Sequence, residues 1–166
     1  MKEKIIQQIL DSASMKESMV DTCISHIESA AILMIESIQN GGKILWCGNG
    51  GSAGDAQHLA TELMGGMTSH ERKPIPSIAL TTDSSFITAW SNDTDFESIF
   101  SRQVQGLGKE GDVLVGISTS GNSENIIAAL KQAKFKGLKT VVFTGKFGGM
   151  MKGMADVTIN VPSEDT

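Results

Sequence analysis

Two polar loops contain the residues best suited to bind an anion. The glycine loop, Gly48–Ser52 (Gly-Asn-Gly-Gly-Ser), follows a short apolar run and leads into a predicted helix. The serine loop, Ser118–Ser123 (Ser-Thr-Ser-Gly-Asn-Ser), offers four hydroxyls and also precedes a predicted helix. Glycines let backbone N–H groups approach a ligand closely, and the N-terminus of a helix favours negative charge. Together the loops indicate a phosphate site built from hydroxyls and backbone amides.

Each loop also has a purely structural interpretation, in which it is a strand-to-helix turn whose Ser and Asn side chains serve as N-caps. One such loop alone would favour capping, whereas two on successive crossovers favour binding. Neither loop matches the phosphate-binding pattern G-x-x-x-x-G-K-[ST]. Neither matches G-x-G-x-x-G followed by a ribose-binding acid. A nucleotide cofactor is therefore disfavoured.

A histidine and a glutamate follow the glycine loop. His58 and Glu62 are four residues apart and so share one face of the predicted helix. They could be two metal ligands, an acid/base couple or an exposed side-chain contact, and the spacing alone favours the exposed contact. Their position directly after the glycine loop favours the two functional alternatives, metal binding and acid/base catalysis, more than the spacing alone does. A carboxylate beside a bound sugar would be the natural base for removing a proton alpha to a carbonyl.

Other polar residues carry weaker signals. Asn92 and Asp93 are predicted to lie in a polar loop after a short helix, where an Asx-turn is the simplest explanation. His26 is predicted to be a packing residue of an amphipathic helix. His70, beside charged neighbours, is predicted to be solvated.

The pattern of apolar residues predicts the elements that position these loops. Residues 2–40 have apolar residues at helical spacing, and Asn40-Gly41-Gly42 is expected to end the helical region. A helix is predicted from about Ala53 to Met64, and another after the serine loop. Five short apolar runs are predicted to be strands, at 44–47, 77–80, 113–117, 140–144 and 157–161. Strands alternating with helices predict one α/β domain over residues 1–166, with a doubly wound, five-stranded parallel sheet preceded by N-terminal helices over 1–40.

Composition narrows the function classes. The chain has 166 residues, of which 40% are hydrophobic, and 14 basic against 19 acidic residues give a net charge of −5. This charge and an aromatic content of 5% disfavour nucleic acid as a partner. No run approaches the length of a membrane span, so no membrane partner is expected. Two cysteines without metal-type spacing suggest a reduced compartment and a cytoplasmic protein.

The order of motifs resembles the phosphoheptose isomerase family of the SIS (sugar isomerase) superfamily. The most specific piece is Gly116–Ser123, Gly-Ile-Ser-Thr-Ser-Gly-Asn-Ser. The resemblance covers nearly the whole chain and also rests on Gly41-Gly42-Lys43, Cys47–Ser52, His58, Glu62, Asn92-Asp93 and Thr144-Gly145-Lys146.

The resemblance implies a flavodoxin-like fold and a homotetramer whose active sites lie at subunit interfaces. It implies conversion of sedoheptulose 7-phosphate to D-glycero-D-manno-heptose 7-phosphate through an enediol, on the route to ADP-heptose and the lipopolysaccharide core. Glu62 would be the catalytic base, and His58 with Glu62 would bind one zinc ion per subunit. The implied substrate-binding residues are Asn49, Gly50, Gly51, Ser52, Glu62, Asn92 and Asp93 for the sugar and Ser118, Thr119, Ser120 and Ser123 for the phosphate.

The sequence departs from the family in two places. The family's further active-site Gln and His lie on a helix after Val-Pro and a polar turn, whereas this sequence stops at residues 163–166. We expect that helix to belong to a longer form of the chain. Gly66 stands where relatives commonly have an arginine.

Two alternatives to this activity remain open. One is a non-catalytic SIS adaptor that binds the bacterial replication initiator, and the other is an isomerase of a different sugar phosphate. The His58–Glu62 pair favours an enzyme over an adaptor, while Gly66 leaves the identity of the sugar open.

Overall fold

Helices and strands alternate along the chain in the computed structural model, which describes residues 1–165. The helices are α1 (Lys2–Thr22), α2 (Ile24–Gln39), α3 (Gly51–Gly65), α4 (Ser84–Asp93), α5 (Ile99–Leu107) and α6 (Glu124–Phe135), with a 3₁₀ helix at Met150–Gly153. The strands are β1 (Ile44–Gly48), β2 (Ser77–Ala79), β3 (Val113–Ser118), β4 (Lys139–Thr144) and β5 (Val157–Asn160). Each predicted strand is present, with one of its two bounds shifted by one residue.

The strands form a parallel sheet in the order β2-β1-β3-β4-β5. Every residue of β1 and β3 is buried, because helices cover both faces of the sheet. On one face α5 and α6 pack over residues such as Leu45 and Leu114, and on the other α2 and α3 pack over Ile44 and Val115. The predicted five-stranded, doubly wound parallel sheet is therefore confirmed.

Gly116 lets α6 approach the centre of the sheet. A Cβ atom at this position would lie 2.6 Å from Cγ2 of Ile126 on α6. The absence of a side chain therefore allows the start of α6, and with it the serine loop, to sit directly against β3.

The predicted helical region at 2–40 is divided in two at Cys23. The backbone there has φ −117° and ψ −20°, and the thiol of Cys23 donates a hydrogen bond to the carbonyl of Asn160 at 3.1 Å. This contact joins the bend to β5. Within residues 1–165 no single helix is long and apolar enough to cross a membrane. Helices α1 and α2 meet this length and composition only as a pair, and the pair is bent by 71°.

Two elements between β2 and β3 differ from the sequence prediction. Asn92 and Asp93 do not lie in a loop, because α4 continues to Asp93 and both residues form its last turn. The prediction was wrong because polar side chains in a C-terminal turn resemble those of a loop. Helix α5 was not predicted, although its buried residues Phe100 and Val104 lie on one face.

Candidate active site

The glycine and serine loops lie side by side at the carboxyl ends of β1 and β3. These strands are neighbours in the sheet, and Gly48 pairs in register with Ile117. From β1 the chain continues through α3 on one face, and from β3 it continues through α6 on the other. In open α/β sheets such a reversal opens a crevice, and ligands bind there.

A reciprocal amide pair joins the two loops. The Asn49 side-chain amide donates to the Asn125 Oδ1 at 2.9 Å, and Asn125 donates back to the Asn49 Oδ1 at 2.9 Å. Asn125, in the first turn of α6, is 3% exposed. Sequence reasoning missed Asn125, and only its place two residues after Ser123 could have drawn attention to it.

The hydroxyls of the serine loop face one another. Ser118 Oγ lies 2.9 Å from Ser123 Oγ and 3.4 Å from Ser120 Oγ. Ser118 Oγ also accepts a hydrogen bond from the Gly121 N–H at 3.2 Å. Three of the four predicted hydroxyls are thus brought together, at the start of a helix whose first N–H groups have no partner within the helix.

The structure tests the interpretation in which these side chains serve as N-caps. Gly50 and Ser123 are the N-caps of α3 and α6, and in the described residues neither helix has a side-chain hydrogen bond at its cap. Ser123 turns its hydroxyl toward Ser118 instead. The Ser123 hydroxyl therefore does not cap α6, and the Ser118 and Ser120 hydroxyls accept hydrogen bonds from the backbone N–H groups of Gly121 and Asn122.

The backbone segment Gly145–Met151, which follows β4, is hydrogen-bonded to the serine loop. Gly145 N–H donates to the Thr119 carbonyl at 2.9 Å, and Met151 N–H donates to the Gly121 carbonyl at 3.0 Å. Gly121 has φ +66°, and a Cβ atom on it would overlap the Gly148 carbonyl oxygen. Glycine is required at 121 because both its conformation and its surroundings exclude a side chain.

Thr119 contributes to two cavities beside the serine loop. The smaller, of about 260 Å³, is also lined by Gly51, Ser52 and Asp55 from the start of α3. The larger, of about 400 Å³, is lined by Thr119, Ser120, Gly145, Lys146, Phe147, Ser163 and Glu164. The Thr119 side chain therefore lies apart from the Ser118 cluster and faces open space on the same edge of the sheet.

His58 and Glu62 lie at a distance from the loops. His58 Nε2 and Glu62 Oε1 are 4.0 Å apart, and the side chains are 73% and 32% exposed. Glu62 is eleven positions after Gly51 in α3, which at about 1.5 Å per residue places it roughly 16 Å along the helix axis from the glycine loop. No hydrogen bond in the described residues joins Glu62 to either loop.

The Gly66 departure has a local explanation. Gly66 ends α3 with φ +104°, and a Cβ atom there would lie 2.5 Å from the Ser69 carbonyl oxygen. An arginine does not fit this backbone. The Arg72 guanidinium instead reaches the end of α3 and donates to the backbone carbonyl of Glu62 at 2.6 Å.

Asn92 and Asp93 are exposed at the end of α4. The Asn92 side-chain amide donates to the Asp93 Oδ1 at 2.9 Å. In residues 1–165 no hydrogen bond connects this pair to the glycine or serine loop.

The His58–Glu62 pair matches part of a zinc site. Imidazole nitrogen and carboxylate oxygen are zinc ligands, and two ligands at about 2.0 Å in a tetrahedron lie roughly 3.3 Å apart. The observed 4.0 Å is about 0.7 Å longer than this separation. The described residues contain no group of three or more His, Cys, Asp or Glu that could hold a metal, so the pair fits half of a site.

Comparison with known proteins identifies the family. A model described as SIS domain matches residues 9–145. The chain is 48% identical over all 166 residues to the phosphoheptose isomerase of Nitratiruptor sp. and covers 88% of that protein. The chain belongs to the phosphoheptose isomerase family.

Solved structures of phosphoheptose isomerases share the fold along the chain. The Neisseria gonorrhoeae protein superposes with a TM-score of 0.93 at 43% identity, covering 99% of this chain and 88% of the other. A Francisella tularensis protein gives 0.94 at 39% identity, covering 98% and 86%.

Proposed function

We propose that this family member interconverts sedoheptulose 7-phosphate and D-glycero-D-manno-heptose 7-phosphate as an aldose–ketose isomerase. The observation that carries the proposal is the cluster of Ser118, Ser120 and Ser123 hydroxyls at a helix start, joined to the glycine loop through Asn49 and Asn125. Hydroxyls and helix N–H groups suit a phosphate, and the neighbouring amides suit sugar hydroxyls.

In this reaction the serine loop holds the phosphate, with Thr119 at its edge. Asn49, Gly50, Gly51 and Ser52 line the sugar, and Asn92 with Asp93 bind further hydroxyls. Glu62 removes a proton from C1 of the ketose to form the enediol and returns a proton to C2, while the hydroxyl proton at O1 is exchanged for one at O2. A carboxylate positioned in this way acts as both base and acid.

We infer that each active site combines loops and Glu62 from different subunits of a homotetramer. The axial separation of roughly 16 Å exceeds an extended seven-carbon chain, which favours a site that takes its loops and its Glu62 from different subunits. None of the 21 described residues of α1 is buried, although Ile5, Ile9 and Leu10 are among them. A helix of this kind needs an apolar partner.

An apolar cleft near Glu62 also supports association of subunits. It has a volume of about 180 Å³ and lies between α2 and α3, lined by Met34, Ile35, Ile38, Gln39, Ile44, Leu63 and Ile75. A second subunit seated there would cover the apolar side chains of this cleft.

We also propose one zinc ion per subunit, held in part by His58 and Glu62. The family's Gln and His would complete the four ligands. When bound, the ion would polarise the sugar oxygens at C1 and C2. Dialysis against a chelator followed by metal analysis and addition of zinc tests this proposal.

A pathway and a location belong to the same proposal. We propose that the product enters ADP-heptose and lipopolysaccharide core synthesis in the cytoplasm. Both cysteines are free and buried, which is compatible with a reducing compartment. The adaptor and the isomerase of another sugar phosphate are not favoured, since the chain is 48% identical to a phosphoheptose isomerase.

The test is turnover of sedoheptulose 7-phosphate in deuterated water. The enediol predicts an aldose product with deuterium at C2. Glu62→Gln should abolish turnover and keep substrate binding, while Glu110→Gln, on an exposed loop before β3, should change neither. A Glu62→Gln variant with normal turnover would remove Glu62 as the base.

The phosphate assignment has a separate test. Replacing Ser120 and Ser123 together by alanine should weaken substrate binding, because two hydroxyl partners of the phosphate are lost. Unchanged affinity would contradict the role of the serine loop. Wild-type protein that does not turn over sedoheptulose 7-phosphate would contradict the proposed activity itself.

A further inference from the structure

Lys146 is a cation beside the serine loop that the proposed reaction does not use. It is the second residue after β4, and the N–H of the preceding residue, Gly145, donates to the Thr119 carbonyl. Lys146 lines the cavity of about 400 Å³ together with Thr119 and Ser120. The serine loop contains neither lysine nor arginine, so Lys146 supplies positive charge at this edge of the cluster.

The ammonium group of Lys146 is paired with a carboxylate that lines the same cavity. Lys146 Nζ lies 2.8 Å from Glu164 Oε1, and the two side chains are 54% and 60% exposed. An ion pair this exposed contributes little to stability, so it can be exchanged readily. A phosphate monoester carries close to two negative charges at neutral pH and offers three acceptor oxygens, whereas Glu164 carries one charge.

We propose that Lys146 binds the phosphate of the substrate in exchange for Glu164. The proposal rests on the proposed function and adds a residue to its phosphate site. Glu164 then competes with the substrate for Lys146 and lowers the affinity of the site. Removing the cation and removing its carboxylate partner must therefore change affinity in opposite directions.

The experiment measures the dissociation constant for sedoheptulose 7-phosphate by calorimetry, at low and at high salt. Lys146→Met should raise the dissociation constant roughly tenfold, because a charge-assisted hydrogen bond is lost. Lys146→Arg should restore most of the affinity, and Glu164→Gln should tighten binding by roughly two- to threefold. Lys131→Met, an exposed lysine of α6, controls for the change in net charge and should leave affinity unchanged.

Salt distinguishes direct phosphate binding from a structural effect. Wild-type affinity should fall as salt rises, and this dependence should be smaller in Lys146→Met. Equal affinity of wild type and Lys146→Met, or weaker binding by Glu164→Gln, would overturn the exchange while leaving the isomerase assignment intact. Wild-type protein that binds no sedoheptulose 7-phosphate would overturn both.

Discussion

The Asn49–Asn125 pair offers the most direct test of how the site is held together. Asn125→Ala removes two hydrogen bonds of 2.9 Å from a side chain that is 3% exposed. At roughly 0.5–1.5 kcal/mol for each bond, the free energy of unfolding should fall by about 1–3 kcal/mol. For a chain of this length that corresponds to a melting temperature lower by roughly 2–12 °C.

A double-mutant cycle isolates the contact from other effects of truncation. Asn49→Ala, Asn125→Ala and the double variant are unfolded in urea at one protein concentration, because association would otherwise shift the result. The coupling energy should be about 1–2 kcal/mol. Asn40→Ala is the matched control, because the Asn40 side-chain amide donates an exposed hydrogen bond to the Glu36 carbonyl at a helix end. This substitution should lower the free energy of unfolding by less than about 0.5 kcal/mol.

The same variants connect stability to binding. Because the pair fixes the distance between the glycine and serine loops, Asn125→Ala should also weaken binding of sedoheptulose 7-phosphate. A coupling energy below about 0.3 kcal/mol would refute the reasoning, since the two amides would then contribute independently. Full coupling with unchanged substrate affinity would refute the link between the pair and the site.

Three further predictions concern buried or partly buried groups. Asp112 is fully buried and accepts three hydrogen bonds. In urea unfolding, Asp112→Ala should lower the free energy of unfolding by about 3 kcal/mol, whereas Lys146→Met, at an exposed ion pair, should lower it by less than about 1 kcal/mol. Equal losses would contradict the role of burial. Burial raises the pKa of Asp156, but hydrogen bonds from the Thr140 hydroxyl and N–H, with nearby lysines, lower it overall below the ordinary 3.8. When the pKa of a carboxyl is lower in the folded state than in the unfolded state, the group stabilises the fold at any pH above its unfolded-state pKa. That stabilisation is lost as the pH falls through the folded-state pKa. In denaturant titrations, the loss of unfolding free energy caused by Thr140→Val should therefore be full at pH 7 and become smaller below pH 3.8. A loss that does not depend on pH would contradict the role of Asp156. Burial also raises the pKa of Cys47 to about 12, so Ellman's reagent at pH 8 should modify it only after unfolding, and rapid labelling of the native protein would contradict its inaccessibility.

The sequence alone determined the parts of this protein that depend on local spacing. Alternation of short apolar runs with helices predicted the parallel sheet, because strands buried on both faces must be continuously apolar. The helical repeat placed His58 and Glu62 on one face of α3, and the structure has them 4.0 Å apart. Glycines and hydroxyls after the strands indicated the two loops, because strand ends and helix starts are where ligands meet a parallel sheet.

Tertiary structure decided what depends on residues far apart in the chain. The side chains of Asn49 and Asn125 meet although they are 76 residues apart, because β1 and β3 are neighbours in the sheet. The bend between α1 and α2 lies against β5, where the Cys23 thiol contacts the Asn160 carbonyl, 137 residues away.

Packing also decided the roles of individual side chains. Ser123 could have capped α6, yet its hydroxyl lies against Ser118. Gly66 excludes an arginine because the chain turns back on it, so that Ser69 occupies the space a side chain needs. Local pattern specifies which segments form helices, strands and loops, whereas the register of the sheet and the close packing of its loops decide which of their side chains meet.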